Sequence, residues 1–227
     1  MSVQVLSWNL KHGRAEPAAR RYLLDEFAAA LAGWEWDVAL LQEVPPWWAP
    51  ELAAATGASE RSVLTSRNVG LPVRRALATR WPDFAKSSGG GANAMLVRGA
   101  EVVVQARRRL CLRPERRQVH GIRVRGAAFP AGLWIANLHA TAHDTEAAVR
   151  DNALAAATVL RWSEPGPCVL GGDFNLRELA LSGFVHAGGH DVDHVFVRGL
   201  RADGPIEVLE RGRLSDHAPV RVAISAA

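Results

Sequence analysis

Cysteine is nearly missing from this chain: 227 residues contain two, Cys111 and Cys168, each among apolar neighbours. That argues against a disulfide scaffold and a Cys-based metal site, and two buried free thiols are expected. Lysine is as scarce, present only at Lys11 and Lys86. No apolar run approaches the roughly 20 residues that a membrane span needs. The start Met1-Ser2-Val3 leads straight into a strand-like segment without a signal-peptide pattern, so a cytoplasmic protein is expected. Hydrophobic residues make up 48% and charged residues 22%, which disfavours disorder. The length suits one large α/β domain spanning residues 1–227, expected as a monomer.

With lysine almost absent, arginine carries the positive charge. The net charge is +4 and the isoelectric point near 9.8, which favours an anionic partner. Arginine clusters at Arg74-Arg75, at Arg107-Arg108-Arg109, and from Arg113 through Arg116-Arg117 to Arg123 and Arg125. A guanidinium fork suits planar phosphate recognition, although an arginine-rich composition with solvated side chains would look the same.

Strand candidates lie at 3–8, 37–42, 94–97, 102–105, 119–124, 133–138, 168–171, 194–197 and 219–224. Helices are expected from Pro17 to Leu31, ending at Gly33, and from Thr145 to Trp162, capped by Asp144 and stopped by Glu164-Pro165. Many strands and few helices, without strict alternation, suggest two sheets packed face to face with helices outside. Gln42-Glu43 is expected to emerge at a sheet edge, and Ser87-Ser88-Gly89-Gly90-Gly91 reads as a loop approaching the site.

The informative feature is that apolar strands end abruptly in polar groups. Ser7-Trp8-Asn9, Leu41-Gln42-Glu43, Asn137-Leu138-His139, Gly172-Asp173-Phe174-Asn175 and Ser215-Asp216-His217 all do so, and Asp193-His194 opens another strand. Ligand sites gather at such ends, because the strand fixes direction while the loop allows exposure. Hard oxygen ligands (Glu43, Asp173, Asp216), amides (Asn9, Asn175) and two imidazoles (His139, His217) are the inventory of a Mg²⁺ site rather than a Zn²⁺ site.

In order, Trp8-Asn9, Leu41-Gln42-Glu43, Gly172-Asp173-Phe174-Asn175, Asp193-His194 and Ser215-Asp216-His217-Ala218-Pro219 resemble the successive motifs of the endonuclease/exonuclease/phosphatase superfamily. Each is weak alone, but together they span nearly the whole chain. The resemblance implies a four-layer DNase I-like α/β sandwich, with two packed mixed sheets flanked by helices. It also implies Mg²⁺, with Mn²⁺ able to substitute, held by Glu43 with Asn9 and Asp216. Asp173 and Asn175 would place the attacking water, and His217, oriented by Asp193, would contact the scissile phosphate.

His139 resembles the second histidine of the DNase I-like branch, as general acid or phosphate binder. Where that branch has a glutamate beside this histidine, the chain offers Asn93. Asn93 and Arg117 are the substrate-binding candidates. His194 is expected to pack away from the site, and His12, His120, His143, His186 and His190 to sit on the surface or rim. Trp47 and Trp48 are expected to pack internally rather than stack on a base. The leading expectation is a nuclease acting on DNA or RNA. The alternatives are a phosphoesterase for small molecules, inositol phosphates or lipid headgroups, and a silent nucleic-acid-binding protein.

Overall fold

Strands β1 (Val3–Asn9) and β2 (Val38–Val44) pair in parallel across the helix α1 (Leu24–Gly33). Strands β7 (Leu133–His139) and β8 (Cys168–Asp173) do the same across α4 (Thr145–Ser163). Each pair is the centre of one sheet. The first sheet runs β11 (Leu200–Ala202), β13 (Val220–Ala226), β1, β2, β4 (Ala92–Val97), β3 (Ser59–Leu64), with β12 (Glu207–Val208) also on β13. The second runs β5 (Glu101–Cys111), β6 (Arg117–Arg125), β7, β8, β10 (Asp193–Arg198), β9 (Val185–His190), and every other pairing is antiparallel. The computed structural model describes residues 2–66, 68–83 and 91–227. The loop expected at 87–91 therefore lies, apart from Gly91, outside the described residues.

Three apolar layers explain the four structural ones. Val5, Val38, Leu40, Met95, Ile135, Val169 and Val195 pack between the sheets. Leu6, Trp8, Ala39 and Leu41 face Phe27 and Leu31 of α1 and Leu52 of α2 (Ala49–Thr56). Ala136, Leu138 and Leu170 face Ala155 and Val159 of α4. Central strands buried on both faces read as continuous apolar runs, which is why Val3–Trp8 alternates poorly in the sequence.

Several expectations need correction. The first helix begins at Leu24, not Pro17, because Ala15 bridges Leu214 and Ser215 and Glu16 N–H donates to Arg213 O at 2.8 Å. The preceding segment is thereby a loop wrapped onto a distant one. Gln42 does not emerge at an edge: it is fully buried in an interior strand, where its Nε2 donates to Asn137 Oδ1 of the opposite sheet at 2.8 Å. Helix α3 (Leu71–Arg80) buries none of its residues, and β9 carries Gly188-Gly189, so neither has a clear pattern to read. Asp144 caps α4 as expected, its side chain accepting from Ala147 N–H at 2.9 Å. Both cysteines are free, Cys168 buried and Cys111 partly exposed. Among the described residues no helix is long and apolar enough to cross a membrane.

Candidate active site

The register of the parallel pairs sets the site. Asn9 lies opposite Gln42 at the end of β1–β2, and His139 lies opposite Asp173 at the end of β7–β8. The sheets stack with these ends together, and Asn9 Nδ2 donates to Asp173 Oδ2 across them at 2.9 Å. Asn137 ties the floor by donating to Leu41 O and Ala94 O at 2.9 and 3.0 Å. The result is a cleft of about 680 Å³ lined by Asn9, Lys11, His12, Glu43, His139, Asp173, Asn175, Asp216 and His217, among others. A second lobe of about 470 Å³ continues past Glu43 and His139 toward Ser66, Glu115, Arg117 and Asp144.

Local backbone devices aim these groups. The β2–β4 register breaks between Leu41 and Val44, and Glu43 takes a positive φ of 51° there. A bulge at a strand end re-aims a side chain, here the Glu43 carboxylate into the cleft. Gly172 has φ 137°, and a Cβ there would lie 2.0 Å from Leu138 O, so only glycine lets β8 approach β7 at the Asp173 turn. Asp173 Oδ1 accepts from Asn175 N–H at 3.0 Å, while Asn175 Nδ2 donates to Ala140 O at 3.0 Å. Ser215 Oγ donates to Asn9 O at 2.6 Å and accepts from His217 N–H at 3.1 Å, locking the His217 loop to β1. Trp8 Nε1 adds a 3.1 Å bond to His217 O.

Asp173 stands between two imidazoles, with Oδ2 3.5 Å from His139 Nε2 and 4.0 Å from His217 Nε2. Burial pushes its carboxyl upward, against His217, Asn9 and Asn175, and nearby Glu43 adds to the rise. His217 donates through Nδ1 to Asp193 Oδ2 at 2.7 Å. Burial opposes the imidazolium, but the Asp193 hydrogen bond and the charges of Asp193, Asp173 and Asp216 outweigh it and push His217 up to about 9. His139 goes the other way. Burial lowers it well below its ordinary value, helped by the charge of Arg117 and by His217 and His12.

The sequence-derived candidates Asn9, Glu43, His139, Asp173, Asn175, Asp216 and His217 meet in this one cleft, with Asp193 behind His217. Asn93 does not support His139. It is fully buried, its Nδ2 reaches Gln118 O at 3.5 Å, and its Oδ1 has no protein partner. The partner of His139 is Arg117, whose Nη1 donates to Nδ1 at 2.9 Å. The nearest sequence cue was the arginine run, which does not announce a histidine contact.

Sequence reasoning also missed Lys11, whose Nζ pairs with Glu16 and lies 3.1 Å from Asp216 Oδ2, and His12, whose Nε2 lies 3.1 Å from Glu43 Oε2. His12 is therefore a cleft residue rather than a rim residue. His120 is fully buried rather than superficial, taking a bond from Gln105 at 3.0 Å. His194 packs as expected against Phe174, and its Nε2 donates to Leu176 O at 2.9 Å. Trp47 and Trp48 both donate to Tyr22 Oη, at 2.9 and 2.6 Å, and Trp48 is buried against Phe27.

Half of the arginine run between Arg107 and Arg125 is committed to the protein, with Arg117 bonded to His139. Arg116 Nε donates to Thr65 O at 3.1 Å and Nη2 to Leu64 O at 3.0 Å. Arg108 Nη1 donates to Thr158 Oγ1 at 3.1 Å, and Arg123 Nη2 to Ala131 O at 2.7 Å. Arg107 and Arg109 remain exposed on the edge strand β5, as do Arg113 after it and Arg125 at the end of β6.

For a divalent ion the donor set fits. Glu43 and Asp173 are acceptor-only carboxylates that approach the same imidazole nitrogen, His139 Nε2, from 3.8 and 3.5 Å. Converging carboxylates at a cleft floor are what a hard cation neutralises, with Asn9 Oδ1 and Asp216 as further oxygen donors. Asp173, Asp193 and His217 also offer ligand atoms within 4.8 Å of one another. The 2.7 Å bond between His217 and Asp193 makes that group an oriented imidazole rather than a ligand trio.

The sequence profile of the Endonuclease/Exonuclease/phosphatase family matches residues 6–217. No curated protein matches the chain in sequence. The fold is similar to an endonuclease/exonuclease/phosphatase from Bacteroides vulgatus, with a TM-score of 0.76 and 15% identity, covering 100% of both chains. A mannosyl-6-phosphatase from Bacteroides thetaiotaomicron aligns at a TM-score of 0.74 and 17% identity over 98% of this chain and 99% of that one. Humanized TDP2 from D. rerio aligns at 0.71 and 14% over 99% of each.

Proposed function

Because this chain belongs to the Endonuclease/Exonuclease/phosphatase family, we propose that it is a hydrolase that cuts phosphoester P–O bonds with the help of Mg²⁺, for which Mn²⁺ can substitute. The observation that carries the reading is the convergence of Glu43, Asn9, Asp216, Asp173, His139 and His217 on one cleft from both sheets. Glu43, Asn9 and Asp216 would hold the ion, which when bound offsets charge on the phosphoryl oxygens and the leaving oxygen. Asp173, bonded to Asn9 and to the Asn175 turn, orients the attacking water and takes its proton. His217, charged and held by Asp193, binds a phosphoryl oxygen. Transition-state charge is thereby met by groups already in place, without reorganisation.

For the substrate, a small phosphorylated molecule is the better fit. Arg108, Arg116 and Arg117 are bonded within the protein and do not form a free phosphate track. A two-lobed cleft lined by hydroxyl, carboxylate and imidazole groups suits a polar alcohol moiety, and the similarity to a mannosyl-6-phosphatase supports the same class. Exposed Arg107 and Arg109 and the net charge of +4 support the second reading, a nuclease on DNA or RNA. The test is initial rates, with Mg²⁺, on sugar phosphates, inositol phosphates, plasmid DNA, single-stranded DNA and RNA. Turnover of sugar or inositol phosphates with intact nucleic acids supports the small-substrate reading. Nicked or degraded nucleic acid with untouched sugar phosphates supports the nuclease, and no hydrolysis of any substrate defeats the proposal.

A further inference from the structure

Arg117 opens β6 with its side chain turned inward, 6% exposed, and two contacts define it. Its Nη1 lies 2.9 Å from His139 Nδ1, and its Nη2 lies 3.2 Å from Glu115 Oε2. The strand start that carries it is anchored on both sides. Arg116 reaches Leu64 and Thr65 carbonyls, its N–H donates to Ser66 Oγ at 2.5 Å, and Gln118 Nε2 donates to Leu64 O at 2.5 Å. The backbone on either side of Arg117 is thus held to β3 and the loop after it, while the guanidinium itself is held by His139 and Glu115.

A guanidinium only donates hydrogen bonds and does not lose its charge in a protein. The atom it meets must therefore present a lone pair, so Nδ1 of His139 carries no proton. The ring's hydrogen is then on Nε2, the atom that faces the cleft between Asp173 Oδ2 and Glu43 Oε1, at 3.5 and 3.8 Å. Both distances exceed the usual hydrogen-bond range and His139 lines the cleft, so the Nε2–H is available to a phosphoester oxygen that enters it.

We propose that Arg117 is a positioning residue that fixes His139 in the Nε2–H tautomer, making His139 a fixed hydrogen-bond donor to the phosphoester rather than a store of a transferable proton. The catalytic consequence rests on the phosphoesterase reading; the tautomer does not. An imidazole acts as general acid by cycling between imidazolium and neutral forms, and here the imidazolium would place an Nδ1–H against an Arg117 N–H. The arrangement inverts that at His217, where a carboxylate accepts from Nδ1 and supports the cation. The cleft therefore holds one imidazole built to carry charge and one built to donate from a neutral ring.

The test is two-bond ¹H–¹⁵N NMR on the full chain with ¹⁵N-labelled histidine, metal-free, with the His139 signals assigned from their loss in His139→Gln. The expected spectrum has a pyridine-type Nδ1 and a pyrrole-type Nε2 at His139. Arg117→Lys, which keeps a cationic donor, should retain that pattern. Arg117→Met should mix the tautomers and lower kcat for an aryl phosphodiester by about tenfold, in the range seen when a supporting hydrogen bond to a working histidine is removed. A wild-type His139 with a protonated Nδ1 overturns the proposal, as does an Arg117→Met protein whose His139 pattern and kcat are both unchanged. If Arg117→Met does not fold, the wild-type spectrum decides alone. The spectrum needs no substrate, so an inactive protein with the expected tautomer would defeat the phosphoesterase reading and leave this assignment standing.

Discussion

Two imidazoles flank Asp173, 3.5 Å and 4.0 Å from the same carboxylate oxygen, and the walls behind them drive them apart in charge. On the β7 wall Arg117 backs His139, and on the β13 side Asp193 backs His217. Burial opposes charge on both rings and weighs more on His139, the deeper of the two. The group that meets Nδ1 adds to burial at His139 and overcomes it at His217. A cation there leaves a neutral donor, whereas an anion there gives an imidazolium raised to about 9. The chemistry of a histidine is thus set by its far nitrogen, which a motif reading of the near residues does not see.

The largest effect should come from the group both walls share. Asp173→Asn keeps the shape but removes the proposed base and the charge between the rings, and turnover should fall on the order of 10³-fold, read as kcat on an aryl phosphodiester. A loss below about tenfold would detach Asp173 from the chemistry. Next is the His217 wall: Asp193→Asn should lower kcat by about 10²-fold with an unchanged far-ultraviolet circular dichroism spectrum. An equal loss from Asp193→Asn and Arg117→Met would erase the distinction between the walls.

The contrast also has a pH signature. His217 rises from its ordinary 6.5 to about 9 on folding, so its pairing stabilises the protein fully below about 6.5 and is lost as pH climbs through about 9. In EDTA the denaturant midpoint should therefore fall between pH 6.5 and 9, and His217→Gln should flatten that fall. A wild-type midpoint that rises across the window would contradict the assignment. The smallest effect is expected at the edge strand, where Arg107→Ala with Arg109→Ala should leave kcat for the aryl ester unchanged, while a salt-dependent loss of DNA affinity would favour the nuclease reading.

The site was legible in the sequence wherever a strand end fixes direction. Asn9, Glu43, His139, Asp173 and Asn175 follow runs whose apolar character announces burial, whereas Asp216 and His217 lie in the turn before β13, after the polar stretch 210–213, and only the family order of the motifs marks them. The same logic failed for Asn93, because one amide in a fully buried strand has no period that tells which neighbour it faces. Lys11 and His12 escaped because a short turn of positive φ, 47° and 53°, points them back at Asp216 and Glu43. In the fold, the central strands were readable and the periphery was not. Helix α3 buries nothing and β9 is rich in glycine, so tertiary packing left no mark on their patterns. The loop before α1 carries a local helix-start signal at Pro17 that its bonds to residues 213–215 override.

The most direct check of the account is the rate of aryl phosphodiester hydrolysis by EDTA-stripped protein as Mg²⁺ is added back, run beside Glu43→Ala. The account predicts no turnover without metal, saturable recovery with Mg²⁺ or Mn²⁺, and a Glu43→Ala curve displaced about tenfold or more to higher Mg²⁺, since that carboxylate is the proposed ligand, aimed into the cleft by the β2 bulge. Full activity in EDTA, or a Glu43→Ala curve that overlays the wild type, would contradict it.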